Sequence, residues 1–146
     1  MGRIGEILAK KGSQVHTLPG DATVYQAIEK MVEHNLGSLI IKDGDTVAGI
    51  FTERDFLRRV ALEQRDPRTT KVRDVMTAKL LFLEPGHTVD ECMAIMTQER
   101  IRHIPVLDCG KLAGLLSIGD VVKHVSDERE VEVQHLTNYV TGKYPA

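Results

Sequence analysis

Apolar and polar positions along this chain follow two periods, and the same order of periods occurs twice. Val15-His16-Thr17-Leu18 reads as a short extended segment, and Pro19-Gly20-Asp21 predicts a turn after it. Val24, Ala27, Ile28, Met31 and Val32 then recur at helical intervals behind Thr23, which with Gln26 has capping-box spacing. Asn35-Leu36-Gly37 predicts the end of that helix, Gly37 being the residue type favoured just past a helix. Two strand-type runs follow, Ser38-Leu39-Ile40-Ile41 and Val47-Ala48-Gly49-Ile50-Phe51, with a hairpin turn at Asp43-Gly44-Asp45. A second helix is predicted through Asp55–Gln64.

Moving residues 23–60 forward by 65 positions lays them over 88–125 without a gap. Thr23-Val24, Met31, Asp43, Ala48-Gly49, Asp55 and Val60 fall on identical residues, eight identities in 38 positions. Composition alone would give roughly two or three. The second copy has Thr88 with Glu91, then Val89, Cys92, Met93 and Met96. Its hairpin is Ile104–Leu107 and Leu112–Leu116 about Asp108-Cys109-Gly110, with a helix through Asp120–Ser126. Pro105 has no N–H for a ladder and should begin or edge its strand. Two β-α-β-β-α units predict a mixed α+β (α/β) fold with two similar lobes and a cleft between them.

The expected organisation is an N-terminal segment packing on the module (1–14), a first repeat (15–64), a polar linker and lead-in (65–77), a second repeat (78–126) and a tail (127–146). Ile4, Ile7 and Leu8 echo Val72, Val75 and Met76 at a spacing of 68. In the tail, Val131, Val133, Leu136, Tyr139 and Val140 form an imperfect apolar stripe suited to packing on the body or on a second subunit.

At 146 residues with few aromatics, the interior must be aliphatic. A net charge of −2 with interleaved signs gives no argument for duplex nucleic acid or an anionic membrane. The apolar runs are too short to span a bilayer, no signal-peptide pattern opens the chain, and Glu6 departs from the myristoylation pattern. Cys92 and Cys109 read as free thiols of a reducing cytoplasm. The histidines have no metal-ligand spacing, and no catalytic motif is present, so neither a metal site nor an enzyme is expected.

The chemistry sits where each hairpin ends. Gly49-Ile50-Phe51-Thr52-Glu53-Arg54-Asp55 and Gly114-Leu115-Leu116-Ser117-Ile118-Gly119-Asp120 share Gly, two apolar residues, a hydroxyl, two variable residues and Asp. The glycine lets a flat ligand or another backbone approach the strand. The hydroxyl at a helix start can cap it or join its N–H groups in holding an anion. An ionised Asp one turn on accepts hydrogen bonds only, which suits the hydroxyls of a ribose. The same residues also fit simple capping boxes, and both readings stay open on spacing alone.

With Val72-Arg73-Asp74-Val75-Met76-Thr77 and Ile101–Asp108, this pattern resembles a tandem pair of CBS motifs, the regulatory module also called a Bateman domain. The resemblance covers about residues 4–126 and is to the stand-alone members. It implies βαββα units about a pseudo-twofold axis, packed sheet to sheet, with clefts that bind AMP, ATP, NAD(H) or S-adenosylmethionine. By matching positions, Asp55 and Asp120 would hold ribose, and Thr52 and Ser117 ribose or phosphate. Arg102 with His103 would meet phosphate. Main chain at His16-Thr17, Leu80-Leu81, Ala48-Gly49 and Ala113-Gly114 would read adenine, with Gly37, Ser38 and Pro105 in the cleft wall. Repeat one has Gly37-Ser38 where repeat two has Arg102-His103. The cleft of Arg102 is therefore expected to be the better phosphate site, with Arg54 as a substitute cation in the first. The resemblance further implies a homodimer that reports adenylate levels to a regulated protein. The alternative is a non-catalytic oligomerisation module with unoccupied clefts.

Overall fold

A computed structural model describes residues 2–12 and 14–128, so the apolar stripe Val131–Val140 lies outside the described residues. The elements run α1 (Ile4–Lys11), β1 (Thr17–Pro19), α2 (Val24–Glu33), β2 (Ser38–Asp43), β3 (Thr46–Thr52) and α3 (Glu53–Asp55, continuing as a π-helix over Phe56–Ala61). A 3-10 turn at Val72–Asp74 precedes α4 (Val89–Glu99), β4 (His103–Asp108), β5 (Lys111–Ser117) and α5 (Ile118–Glu128).

The predicted helix starts form as capping boxes. Thr23 Oγ1 accepts from Gln26 N at 3.1 Å while Gln26 Oε1 accepts from Thr23 N at 2.9 Å. Thr88 and Glu91 repeat this, both bonds at 3.0 Å. The first helix ends within the expected Asn35-Leu36-Gly37 but not at its glycine, and the second ends in the same way. The left-handed residues are Asn35 (φ 54°) and Arg100 (φ 55°), two positions before Gly37 and its counterpart Arg102. Leu36 N and Ile101 N reach back to Met31 O and Met96 O at 2.8 and 3.1 Å. That closes each helix in a Schellman-type turn, which releases Gly37 for another role.

Strands β2 and β3 pair antiparallel from Ser38↔Thr52 to Asp43↔Thr46, with a register shift after Ile41. β4 and β5 pair likewise from His103↔Ser117 to Asp108↔Lys111, with the shift at the matching place after Val106. β1 joins β2 in parallel and runs through Pro19, which the sequence reading placed in a turn. In the second repeat a single parallel bridge, Leu83↔Val106, stands where that third strand would be. Leu83 N donates to Pro105 O at 3.0 Å and Leu107 N to Leu83 O at 2.8 Å. Pro105 has no N–H to carry the ladder further back, whereas its counterpart Ile40 does. The predicted edge position of Pro105 is thus met by a shortened neighbour.

Two aliphatic cores form, each completed by the segment that precedes the other repeat. Ile4, Ile7 and Leu8 of α1 pack with Val89, Cys92, Met96, Ile104, Val106, Leu116 and Val121. Val72 and Val75 pack with Val24, Ala27, Met31, Leu39, Ile41, Phe51 and Val60. The echo between the two lead-in segments is therefore a packing echo, with partners exchanged.

Candidate functional site

Both hydroxyl–Asp pairs are capping boxes in three dimensions. Thr52 Oγ1 accepts from Asp55 N at 3.1 Å, and Asp55 Oδ2 accepts from Thr52 N at 3.0 Å. Ser117 Oγ accepts from Asp120 N at 3.1 Å, and Asp120 Oδ2 accepts from Ser117 N at 2.8 Å. Capping leaves each carboxylate with free lone pairs, so the cap and a ligand role are compatible. The second contact of each acid differs. Thr77 Oγ1 donates to Asp55 Oδ1 at 3.0 Å, whereas Lys11 Nζ donates to Asp120 Oδ2 at 2.6 Å. Burial alone would raise the Asp120 carboxyl pKa. The hydrogen bonds from Lys11 and Ser117 and the Lys11 charge more than offset this, leaving it below the usual value.

Thr52 and Asp55 open onto a cleft of about 600 Å³ between the repeats. Ile50, Glu53, Arg54, Leu57, Arg58, Arg59, Thr77 and Gly37 line one side, and Glu99, Arg100, Ile101, Arg102 and His103 the other. The expected assignment of Arg102 is corrected by this arrangement. Arg102 and His103 belong to repeat two in sequence, yet they share a cleft with Thr52 and Asp55 of repeat one. The turn before β4 faces the β3–α3 corner across the repeats, where Arg54 Nη1 donates to Arg100 O at 3.4 Å. The first acid therefore does not lack the cationic group. Burial lowers the pKa of His103, with Glu53 opposing, so this imidazole favours its neutral form. Gly37 explains its close seat: a Cβ there would stand 3.1 Å from His103 Nε2 and 2.9 Å from Glu53 Oε1.

The other expected residues lie away from this lining. His16 stacks on His34 at 4.1 Å, and Thr17 O accepts from Lys30 Nζ at 2.8 Å. Burial lowers the His16 pKa, with the His34 and Lys30 charges adding to it. Ser38 is buried opposite Thr52. Ala48 and Gly49 lie in β3, and Pro105, Ala113 and Gly114 in the β4–β5 sheet, while Leu80 and Leu81 lead toward Leu83. The space beside Gly49 is taken by the chain itself. A Cβ there would stand 2.7 Å from both Met76 Sδ and Thr77 O, and one on Gly114 2.5 Å from Leu8 Cδ2. Of the two reasons for glycine at these positions, the approach of another chain segment is the one realised.

Sequence reasoning missed Arg58, Arg100 and Thr77. Arg58 lies three residues past Asp55, on the same helical face, which was a usable signal. Arg100 was hidden as a helix cap, and Thr77 as the last residue of a lead-in motif. Among the described residues no cluster of three or more His, Cys, Asp or Glu could hold a metal ion, and no helix is long and apolar enough to cross a membrane. Cys92 is buried, Cys109 is exposed, and both are free.

The CBS domain family model matches residues 4–62 and 72–127. The CBS domain-containing protein CBSX3, mitochondrial, of Arabidopsis thaliana is 44% identical over 129 residues, covering 85% of this chain and 63% of that protein. The chain thus spans less than two thirds of this relative's length. A solved CBS-domain protein of Burkholderia ambifaria MC40-6 is 48% identical, with a TM-score of 0.82 over 84% of this chain and 93% of its own. The CBS domain pair of protein MJ0100, solved with 5-methylthioadenosine and S-adenosyl-L-methionine, shares the fold at 20% identity. Its TM-score is 0.75, over 86% of this chain and 97% of that one. Two matched repeats, two capped hydroxyl–Asp corners and an interlocked pair of cores agree: the chain belongs to the CBS-domain family, as a tandem pair of CBS repeats.

Proposed function

We propose that this CBS pair is a regulatory module that binds a phosphate-bearing adenosyl ligand in the cleft of Thr52 and Asp55 and signals its occupancy to a partner protein. One observation carries the reading. Arg58, Arg100 and Arg102 line that cleft, and among the described residues their guanidiniums have no hydrogen-bond or ion-pair partner. With Arg54 and Arg59 they outnumber the acids Glu53, Asp55 and Glu99 of the same lining, and a net positive cleft favours an anionic guest. AMP, ATP and NAD are such guests; the sulfonium of S-adenosylmethionine is not. Asp55 would accept the ribose hydroxyls, Thr52 and the helix start would face phosphate, and Arg54, Arg102 and His103 would close over it. Ile50, Leu57 and Ile101 offer apolar surface to a base. That a CBS pair of the same fold holds adenosyl compounds supports the class of ligand. Binding without turnover is part of the proposal, as the regulatory character of CBS-domain proteins supports. A homodimer is part of the proposal, meeting through the exposed Val32, Leu62 and Val122. So is a cytoplasmic setting, on the argument of two free thiols.

Calorimetric titration with AMP, ATP, NAD and S-adenosylmethionine tests the reading. Saturable binding of a phosphate-bearing ligand is expected, weakened by roughly 1.5–3 kcal/mol in Asp55→Ala. No heat and no thermal shift from any of the four would leave the oligomerisation module as the reading.

A further inference from the structure

The two acids are tied to the lead-in segments in different ways, and this has a consequence for ligand number. In repeat one, Thr77 serves twice: its N–H donates to Ile50 O at 2.8 Å and its hydroxyl to Asp55 Oδ1 at 3.0 Å. The counterpart of Thr77 at the 68-residue spacing is Ala9, which has no hydroxyl. In repeat two the ammonium of Lys11 takes both contacts, donating to Leu115 O and to Asp120 Oδ2. Leu115 is the counterpart of Ile50, and Asp120 that of Asp55.

Lys11 is exposed, but the helix that carries it is held by packing. It lies one turn past Leu8, whose side chain fills the space beside Gly114. Ile4, Ile7 and Leu8 fix α1 in the second core. Residues three apart share a helix face, so Leu8 aims Lys11 along β5 toward the start of α5. Gly12 then ends the helix at φ 94°, its N–H donating to Leu8 O at 2.8 Å. Asp55 is contacted by a neutral hydroxyl and keeps its charge for a guest. Asp120 already has a bound cation.

We infer that Lys11 is an internal occupant of the second acid, so that the module takes one adenylate per chain, at Asp55, and Lys11 decides this selectivity. The inference rests on the proposed adenylate function. Asp120 Oδ2 is already shared by the Lys11 ammonium and Ser117 N, so a ribose whose two hydroxyls take both carboxylate oxygens must displace the ammonium. Loss of one charge-assisted hydrogen bond already weakens binding by about tenfold or more.

Titration of ATP into the intact chain is expected to give one equivalent bound, and Asp55→Asn to weaken it about tenfold or more. Lys11→Met is expected to add a second equivalent that survives in the Asp55→Asn/Lys11→Met double variant. Two equivalents in the intact chain, or one in a folded Lys11→Met protein, would overturn the inference while the adenylate reading stands. No ATP bound by any of these proteins would remove the adenylate reading, and the inference with it. If Lys11→Met does not fold, the intact chain and Asp55→Asn decide the matter: one equivalent weakened about tenfold or more in Asp55→Asn supports the inference, and one bound there with unchanged affinity overturns it.

Discussion

At Gly49 and Gly114 the absent side chain is replaced by another part of the molecule, and the two replacements differ in stiffness. Beside Gly49 stands the Thr77 carbonyl, which also accepts from Ile50 N at 2.9 Å. Beside Gly114 stands the end of a leucine side chain. Backbone held in a hydrogen bond cannot yield as a δ-methyl can. Gly49→Ala is therefore expected to cost about 1–3 kcal/mol, the range for overpacking a tight site, and Gly114→Ala less. Urea midpoints of the two variants check this; equal losses would refute the distinction. The repeated glycines were legible in the sequence, but what lay against them was not. A glycine records that something comes close without recording what.

The helices and hairpins formed where the sequence placed them because their signals are local. A capping box needs four residues, and a hairpin needs two strands and a turn. Cys109 and Gly110, at φ 52° and 80°, have the two left-handed residues of a tight hairpin turn. Pro105 shows the reach of a single residue over an element. By withholding one N–H it reduces the third strand of its sheet to the Leu83 bridge. A single bridge opens more readily than a three-residue ladder. Amide exchange at Leu83 is thus expected to be faster than at Leu18, and Pro105→Ile to slow it by restoring the donor found at Ile40. Unchanged exchange at Leu83 in that variant would show that Pro105 is not what shortens the strand. The first helix ends two residues before the glycine its sequence offers. Glycine is the residue type expected in the left-handed position, whereas Asn35 and Arg100 adopt that conformation.

For the whole molecule, the exchange of lead-in segments ties the halves together. The family match runs continuously through residues 4–62, yet α1 at its start completes the core of the other repeat. Val72 and Val75 return the exchange. Neither core closes without the opposite half, so the two should unfold as one unit. Ile4 is fully buried, and Ile4→Ala is expected to cost about 2–5 kcal/mol. In that variant the NMR signals of Phe51 and Leu116, one from each core, should vanish at the same urea concentration. Loss of Leu116 well before Phe51 would mean independent halves. The linker adds to this coupling. Its composition predicts a polar linker, yet Val24 N and Tyr25 N donate to Thr70 O and Pro67 O at 2.9 Å, and Arg68 stacks 4.1 Å above the Tyr25 ring.

The duplication, the order of elements, their caps and the two hydroxyl–Asp corners were written in the sequence, because each depends on residues a few positions apart or on a repeat that can be laid over itself. Which lead-in closes which core, which acid shares a cleft with Arg102, and which acid Lys11 occupies were decided by tertiary structure. These depend on how two nearly equal halves face each other. That facing is set by core packing and by contacts such as Arg54–Arg100 and Lys11–Asp120, 46 and 109 positions apart, which no local period encodes.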